Sequence, residues 1–311
     1  MTPGADWTLA DIPDLTGKRF LVTGVTSGLG ASIAHQLAAS GADVVLAARS
    51  QHKLEATRQA IRATTPEARL SSLIVDLADL SSVRRAAAHA ARFGAIDVLV
   101  NNAGVMATPH LRTVDGFESQ LATNHFGPFA LTGLLLPQLV ASGSGRVVNT
   151  GSQAHRMAIA SAVRDPRAQH GRYSKWQSYA QSKLADLQFT YALDRRLKQA
   201  GLPVIAVAAH PGYSATGLMQ GRNVGKKRVG PITLGVERVF SALGQPAAMG
   251  ALPTLMAATA DIPGGTYIGP SGPGQMRGYP RVVGSSRRAQ DESAQDQLWR
   301  VSEEATGVQY P

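Results

Sequence analysis

Tyr179 and Lys183, in the stretch YAQSK, place a phenol and an ammonium on one face of a helix, where positions i and i+4 are neighbours. On an open surface such a pair contributes roughly 0.2–0.5 kcal/mol and nothing else. In a cleft it can move protons. A free tyrosine titrates near about pH 10, too high for efficient acid–base work near neutrality. A neighbouring cation favours the phenolate. Lowering that pKa by about three units takes roughly 4 kcal/mol of differential stabilisation, which close charges supply only where water is partly excluded. What stands around the pair decides whether such a cleft exists.

A second stretch points to the partner of that chemistry. RFLVT (19–23) leads directly into TGVTSGLG (23–30), and the following ASIAHQLAAS has a helical pattern. Gly24, Gly28 and Gly30 permit a tight turn and a close approach of pyrophosphate. Thr26, Ser27 and Leu29 complete a loop that opens a helix. In dinucleotide folds an acid about 20 residues past this loop binds the adenosine ribose and selects NAD. Here the count lands on Ala48 and Arg49, in LAARSQHK, and no acid ends the strand. Arg49, with Lys53 one turn on, suits a 2′-phosphate instead, so NADP(H) is expected over NAD(H).

Short apolar runs must hold these groups: RFLVT (19–23), VVLAA (44–48), SLIV (72–75), IDVLV (96–100), RVVNT (146–150) and VIAVAA (204–209). Their nearly continuous apolarity is that of strands covered on both faces. Helical segments alternate with them at 28–40, 51–64, 79–93, 116–140 and 178–200. The alternation predicts an α/β fold, a doubly wound, Rossmann-like parallel sheet with helices on both faces, in a single domain over 1–311. Beyond residue 209 the pattern loosens. GTYIG (265–269) reads as one more strand and 289–306 as a polar terminal helix.

Composition narrows the function classes. The chain has 311 residues, 44% hydrophobic and 17% charged, which is a globular balance. It has no cysteine, which excludes disulfides, thiolate catalysis and thiolate metal ligands. Its eight histidines are dispersed, so no metal site is expected. The net charge of +10 is scattered without a basic–aromatic stripe; an anionic cofactor or substrate is the expected partner, and nucleic acid is not. The N-terminal residues lack a signal-peptide pattern, and ALTGLLLPQLVA (130–141) is too short to span a bilayer. The expectation is a soluble, cytoplasmic protein with no membrane partner.

Taken in order, these stretches resemble the short-chain dehydrogenase/reductase family over most of the chain. TGVTSGLG resembles its cofactor loop, and Asp76-Leu77 the pair that contacts adenine. NNAG (101–104), with Asn102, Ala103 and Gly104, is similar to the signature that leaves room for cofactor. Asn124, Ser152, Tyr179 and Lys183 match the family's catalytic tetrad. Pro211-Gly212 and Thr216 match the loop that grips the nicotinamide carboxamide. The resemblance implies that Tyr179 donates the proton, Ser152 orients the carbonyl, Lys183 also holds the nicotinamide ribose, and Asn124 anchors a relaying water. NHFGPF, SQAH, YAQSKLADLQF and HPGYSATGL resemble the branch of retinol dehydrogenases, WW-domain oxidoreductase and protochlorophyllide reductase.

The implied activity is an NADP(H)-dependent carbonyl reductase or alcohol dehydrogenase. A catalytically silent dinucleotide-binding regulator is the alternative, which the complete tetrad argues against. The domain is expected to carry an insertion 153–177, a lid segment 213–260 and a C-terminal extension 270–311, with specificity in 153–177 and 213–230. Within the lid, 213–230 reads equally as a mobile flap or an ordinary loop. Met106, His155, Met157, Tyr173, Trp176, Tyr213 and Met219 are the candidate substrate contacts, favouring a bulky, largely apolar carbonyl or alcohol. His125 and His155 are expected to pack rather than to catalyse. In this family helices corresponding to 116–140 and 178–200 often pair across a two-fold axis, which permits a homodimer.

Overall fold

Each apolar run becomes a strand, and all but the edge strand, which keeps Ile74 exposed, find cover on both faces. The computed structural model describes residues 6–160, 163–167, 172–213 and 246–311. The strands are Arg19–Thr23 (β1), Asp43–Ala48 (β2), Arg69–Ile74 (β3), Val98–Asn101 (β4), Gly145–Thr150 (β5), Val204–Ala209 (β6), Tyr267–Pro270 (β7) and Pro280–Val282 (β8). They form an 8-stranded sheet in the order β3-β2-β1-β4-β5-β6-β7-β8. Pairing is parallel except for β7 with β8. Chain order reverses between β1 and β4, whose register pairs Phe20 with Val98 and Val22 with Val100. The carboxyl ends at such a switch point form the ligand crevice of open α/β sheets.

Alternate strand residues feed two cores. Phe20, Val22, Val44, Leu46 and Val100 pack beneath Gly28–Ala39 (α1), Gln51–Thr64 (α2) and a helix over Ala247–Thr259, through Ile33, Leu37, Leu54 and Leu255. Leu21, Val45, Leu99 and Val147 point the other way. They meet Leu80–Ala90 (α3), Gly127–Ala141 (α4) and Lys175–Gln199 (α5) through Val83, Phe129 and Phe189.

Three expectations shift in register or form. β3 starts at Arg69 rather than near residue 72, because Asp43 pairs with Arg69 in the ladder and as an ion pair. The helix expected over 116–140 starts as a single turn, Ser119–Leu121, widens into a π-turn over Ala122–Phe126 and only then becomes α4. A wide turn of this kind often marks a functional site. Pro128 has no N–H to give the carbonyl of Asn124 four residues back. Gly127 lets the helix lie against the Leu77 carbonyl, where a Cβ would collide. The antiparallel β8 is a third departure; only three residues long, it has no detectable pattern of its own.

The tail returns across α4 and α5. Glu292–Thr306 packs on α5, with Trp299 5.3 Å from Phe129 and 6.0 Å from Phe189, centroid to centroid. The Tyr310 hydroxyl donates to the Phe129 carbonyl at 2.7 Å. Gly133 admits this contact: a Cβ there would lie 2.6 Å from Val308 Cγ1. Among the described residues no helix is long and apolar enough to cross a membrane.

Candidate active site

The crevice begins where β1 ends. Gly24, at φ +74°, turns so tightly past β4 that a Cβ would lie 2.7 Å from Ala103 Cα. Asn102 closes the turn, its Nδ2 donating to the Thr23 carbonyl at 2.8 Å, while Thr23 Oγ1 accepts from the amides of Asn102 and Ala103 at 3.0 Å. Gly30 cannot carry a side chain without striking Gly24 and Asn102. Ser27 caps α1 with its backbone alone and makes no side-chain capping bond. The amides of the first turn, over Gly28, Leu29 and Gly30, therefore face the crevice mouth without a capping side chain.

Arg49 and Lys53 lie at the end of β2 and the start of α2, both exposed. Asp76 accepts from the Ala78 amide at 3.0 Å, and Leu77 is buried. Pro211 and Gly212 follow β6, with Gly212 at φ +66° pressed against the Met276 carbonyl. Thr216, Met219 and most of the segment 213–260, including NVGKKRVG (223–230), lie outside the described residues.

Tyr179 and Lys183 are on α5, 8% and 6% exposed. The pair is buried, so it is not the surface decoration that its spacing alone allows. Lys183 Nζ donates to the Thr150 carbonyl at 2.7 Å, tying the helix to the end of β5 two residues before Ser152. Ser152 caps a short 3-10 turn, Gln153–Met157, its Oγ accepting from the Ala154 amide at 3.2 Å. Asn124 stands on the π-turn. Its side chain is fully engaged: Oδ1 accepts from the Val105 amide at 2.8 Å, and Nδ2 donates to the Val105 carbonyl at 3.0 Å and Ser182 Oγ at 2.8 Å. Gly104 borders both groups; a Cβ there would sit 3.2 Å from Asn124 Oδ1 and 3.8 Å from Lys183 Nζ.

The candidate substrate contacts divide. Met157 and Trp176 are exposed, and Met106 is half-buried. Trp176 lines an open depression of about 530 Å³ with His110, Arg172 and Lys175. Tyr213 is tied to the tail, its amide donating to the Met276 carbonyl at 2.7 Å. Tyr173 lines the same depression as Trp176 and also has a bracing role, whereas the buried His155 is a correction. The Tyr173 ring stacks on His110 at 4.4 Å, and its hydroxyl joins Gln120, the Thr108 carbonyl and the buried Glu118. It braces the insertion against the loop before α4. His155 is fully buried, with Nδ1 2.6 Å from the Ser152 carbonyl and Nε2 accepting from the Ser286 amide at 3.1 Å. Burial pushes it down to about 4, so it stays neutral. It fastens the Ser152 turn to the tail.

A family model described as short chain dehydrogenase matches residues 18–164. Human retinol dehydrogenase 13 is 36% identical over 316 residues, spanning 100% of this chain and 90% of that protein. The chain belongs to the short-chain dehydrogenase/reductase family. Within this family it falls in the retinol dehydrogenase-like branch and is an oxidoreductase. The structure of an uncharacterized protein from Mycobacterium paratuberculosis, 42% identical, matches at a TM-score of 0.80 over 99% of this chain and 100% of that one. A structure given as an NAD(P) dependent gluconate 5-dehydrogenase from Beutenbergia cavernae, with bound NADP at low occupancy, is 26% identical. It matches at a TM-score of 0.61 over 79% of this chain and 91% of that one. A short-chain dehydrogenase fold binds a nicotinamide dinucleotide, and the glycine cradle and unblocked helix start fit one.

Sequence motifs did not point to two other groups beside the crevice. Gln153, His210 and Gln275 form one cluster, with the His210 ring nitrogen 3.2 Å from Gln153 Nε2 and 3.1 Å from Gln275 Oε1. Gln275 adopts φ +57°, an uncommon conformation for glutamine. Burial pushes His210 down to about 4. These contacts join segments 65 and 122 residues apart, which no local pattern announces. The second group, Asp186, is a single residue in a helix.

Proposed function

We propose that this short-chain dehydrogenase/reductase transfers a hydride between NADP(H) and a carbonyl or alcohol substrate that is bulky and largely apolar. The observation that carries this most directly is the burial of Lys183 beside Tyr179, at the end of β5 next to Ser152. There an ammonium can favour a phenolate, which it could not do in open water. In the reducing direction NADPH supplies the hydride when bound. Tyr179 supplies the proton to the carbonyl oxygen, and Ser152 donates a hydrogen bond that holds that oxygen. Lys183 supports the charge left on Tyr179 and binds the nicotinamide ribose. Because the Asn124 side chain is committed to Val105 and Ser182, any water relaying protons would be held by its main-chain carbonyl, which Pro128 deprives of a helical donor.

Arg49 and Lys53 support the NADP(H) preference, two exposed cations at the end of β2 where an NAD-selecting acid would stand. A charge-assisted phosphate contact is worth roughly 1.5–3 kcal/mol, or about 10- to 150-fold in affinity. Arg49→Ala should therefore erase most of the difference between NADPH and NADH measured by calorimetry; equal affinities in the parent protein would end the proposal. A panel of apolar ketones, aldehydes and alcohols, followed by cofactor absorbance, tests the reaction itself. NADPH binding without turnover on the whole panel would favour a silent cofactor-binding protein. The retinol named for the human relative is an alcohol of the proposed kind.

Assembly is part of the same proposal. The outer faces of α4 and α5, which would pair across a two-fold axis in a homodimer, are covered by Trp299, Val308 and Tyr310 of the chain's own tail. A monomer is the assembly this favours. Light scattering at micromolar concentration should give a mass near 32.6 kDa, and a dimeric mass would restore the two-fold arrangement.

A further inference from the structure

Lys183 has a second buried partner. Its Nζ donates to Asp186 Oδ2 at 2.8 Å, one turn along the same helix, and the two side chains keep only 8% and 7% of their area exposed. A sealed ion pair next to a phenol is an unusual use of a helix position: desolvating two charges is unfavourable, and an apolar pair would often serve stability as well. Around the pair stand Tyr179 and Tyr191 on the same helix and Tyr267 from β7, whose ionisation is opposed first by burial and then, to a smaller extent, by Tyr191, Tyr179 and the charge of Asp186. Arg156 from the Ser152 turn lies beyond Tyr267, and the rings of His155 and His210 flank that tyrosine at 6.0 and 5.2 Å. Among the described residues the Tyr267 and Thr150 hydroxyls are buried without a hydrogen-bond partner.

We propose that Asp186 is a positioning residue of the acid–base site, holding the Lys183 ammonium between the Thr150 carbonyl and Tyr179 and offsetting part of its charge. This rests on the roles proposed above for Tyr179 and Lys183. Burial, opposed by Lys183, pushes the Asp186 carboxyl up to about 6. Burial alone would lower Lys183, but Asp186 and Tyr179 outweigh it and raise it. His155 and His210, held near 4, are neutral above that range. Asp186 is therefore the carboxyl that burial raises toward neutrality while its 2.8 Å contact with Lys183 opposes the shift. Ionised, it weakens the support that Lys183 gives to a Tyr179 phenolate; protonated, it leaves that support whole.

Asp186→Asn keeps an acceptor for Lys183 and removes the charge. Spectrophotometric titration of tyrosinate in the full chain reads the effect directly, the Tyr179 component being the part that Tyr179→Phe removes. In Asp186→Asn that component should appear about one pH unit lower than in the parent, the size of a single charge effect in a partly screened site. An unchanged midpoint would reduce Asp186 to packing. A higher midpoint would mean that Lys183 had left Tyr179, and would equally overturn the charge-offsetting role. If circular dichroism shows that the asparagine variant does not fold, Asp186→Ser carries the same test with the same expected direction. The titration needs neither cofactor nor substrate. A silent panel of carbonyls would therefore sink the oxidoreductase proposal while leaving this result to stand or fall alone.

Discussion

Tyr179→Phe should lower turnover by about 10²- to 10⁴-fold, the usual contribution of a positioned proton donor, while leaving NADPH affinity nearly unchanged. The substitution removes one oxygen from a side chain that is 8% exposed and otherwise packed, so neither α5 nor the glycine cradle has reason to move. Lys183 keeps its bonds to the Thr150 carbonyl and Asp186, and its proposed hold on the ribose with them. The loss should fall on kcat and on kcat/KM together, because the interaction removed is made only as the proton moves. Steady-state rates with the best substrate of the panel, set beside calorimetric cofactor affinities, separate the two quantities. Parent-like reduction by the phenylalanine variant would remove Tyr179 from the chemistry.

Acid should destabilise this protein well before its carboxylates would account for it. Burial pushes His125 down to about 3 and His155 and His210 down to about 4, against an ordinary value of 6.5. A group whose folded pKa is depressed stabilises the fold above its unfolded pKa, and that stability is lost as pH falls toward the folded value. Between about pH 6 and 4 the unfolded chain thus gains up to three protons that the folded chain refuses. Asp186, raised to about 6, acts in the opposite sense, since the folded state holds a proton that the unfolded chain releases. Asp194 is raised as well. One to two net protons remain, so stability should fall by about 1.4–2.7 kcal/mol per pH unit across that window. Urea midpoints measured from neutrality to pH 4 check it; equal midpoints across that range would mean these histidines are not held neutral. His125 is central to the effect, because its Nε2 lies 2.7 Å from Ser302 Oγ of the terminal helix, amid Phe126, Phe129 and Phe189. Protonating it would loosen the tail from α4.

Much of this was legible in residue order. A strand buried on both faces must be apolar throughout, and a helix between two parallel strands must end at a glycine or a cap. RFLVT and VIAVAA therefore marked β1 and β6 to the residue, and QHKLEATRQAIRAT marked α2. TGVTSGLG was equally plain, because close backbone approach excludes side chains and leaves a compositional trace, whereas NNAG was legible only through the family resemblance. The spacing of Tyr179 and Lys183 was local to one helix, so periodicity alone put them on one face.

Tertiary structure decided the rest, wherever the partner is distant or the geometry departs from a regular period. Asn124 shared its segment with a continuous helical pattern, yet the π-turn and Pro128 set its carbonyl apart and Val105 consumed its side chain. Tyr173 and His155 had the composition of substrate contacts and became braces, because Glu118, Gln120 and Ser286 meet them from segments far along the chain. Asp186 looked like any acid on a polar helix. Burial beside Lys183, which depends on β5 and β7 closing over α5, is what turned a residue worth little in water into one able to tune its neighbour. Sequence determines which groups are present and which share a face; desolvation, and so the strength of every charge among them, is a property of the packed chain.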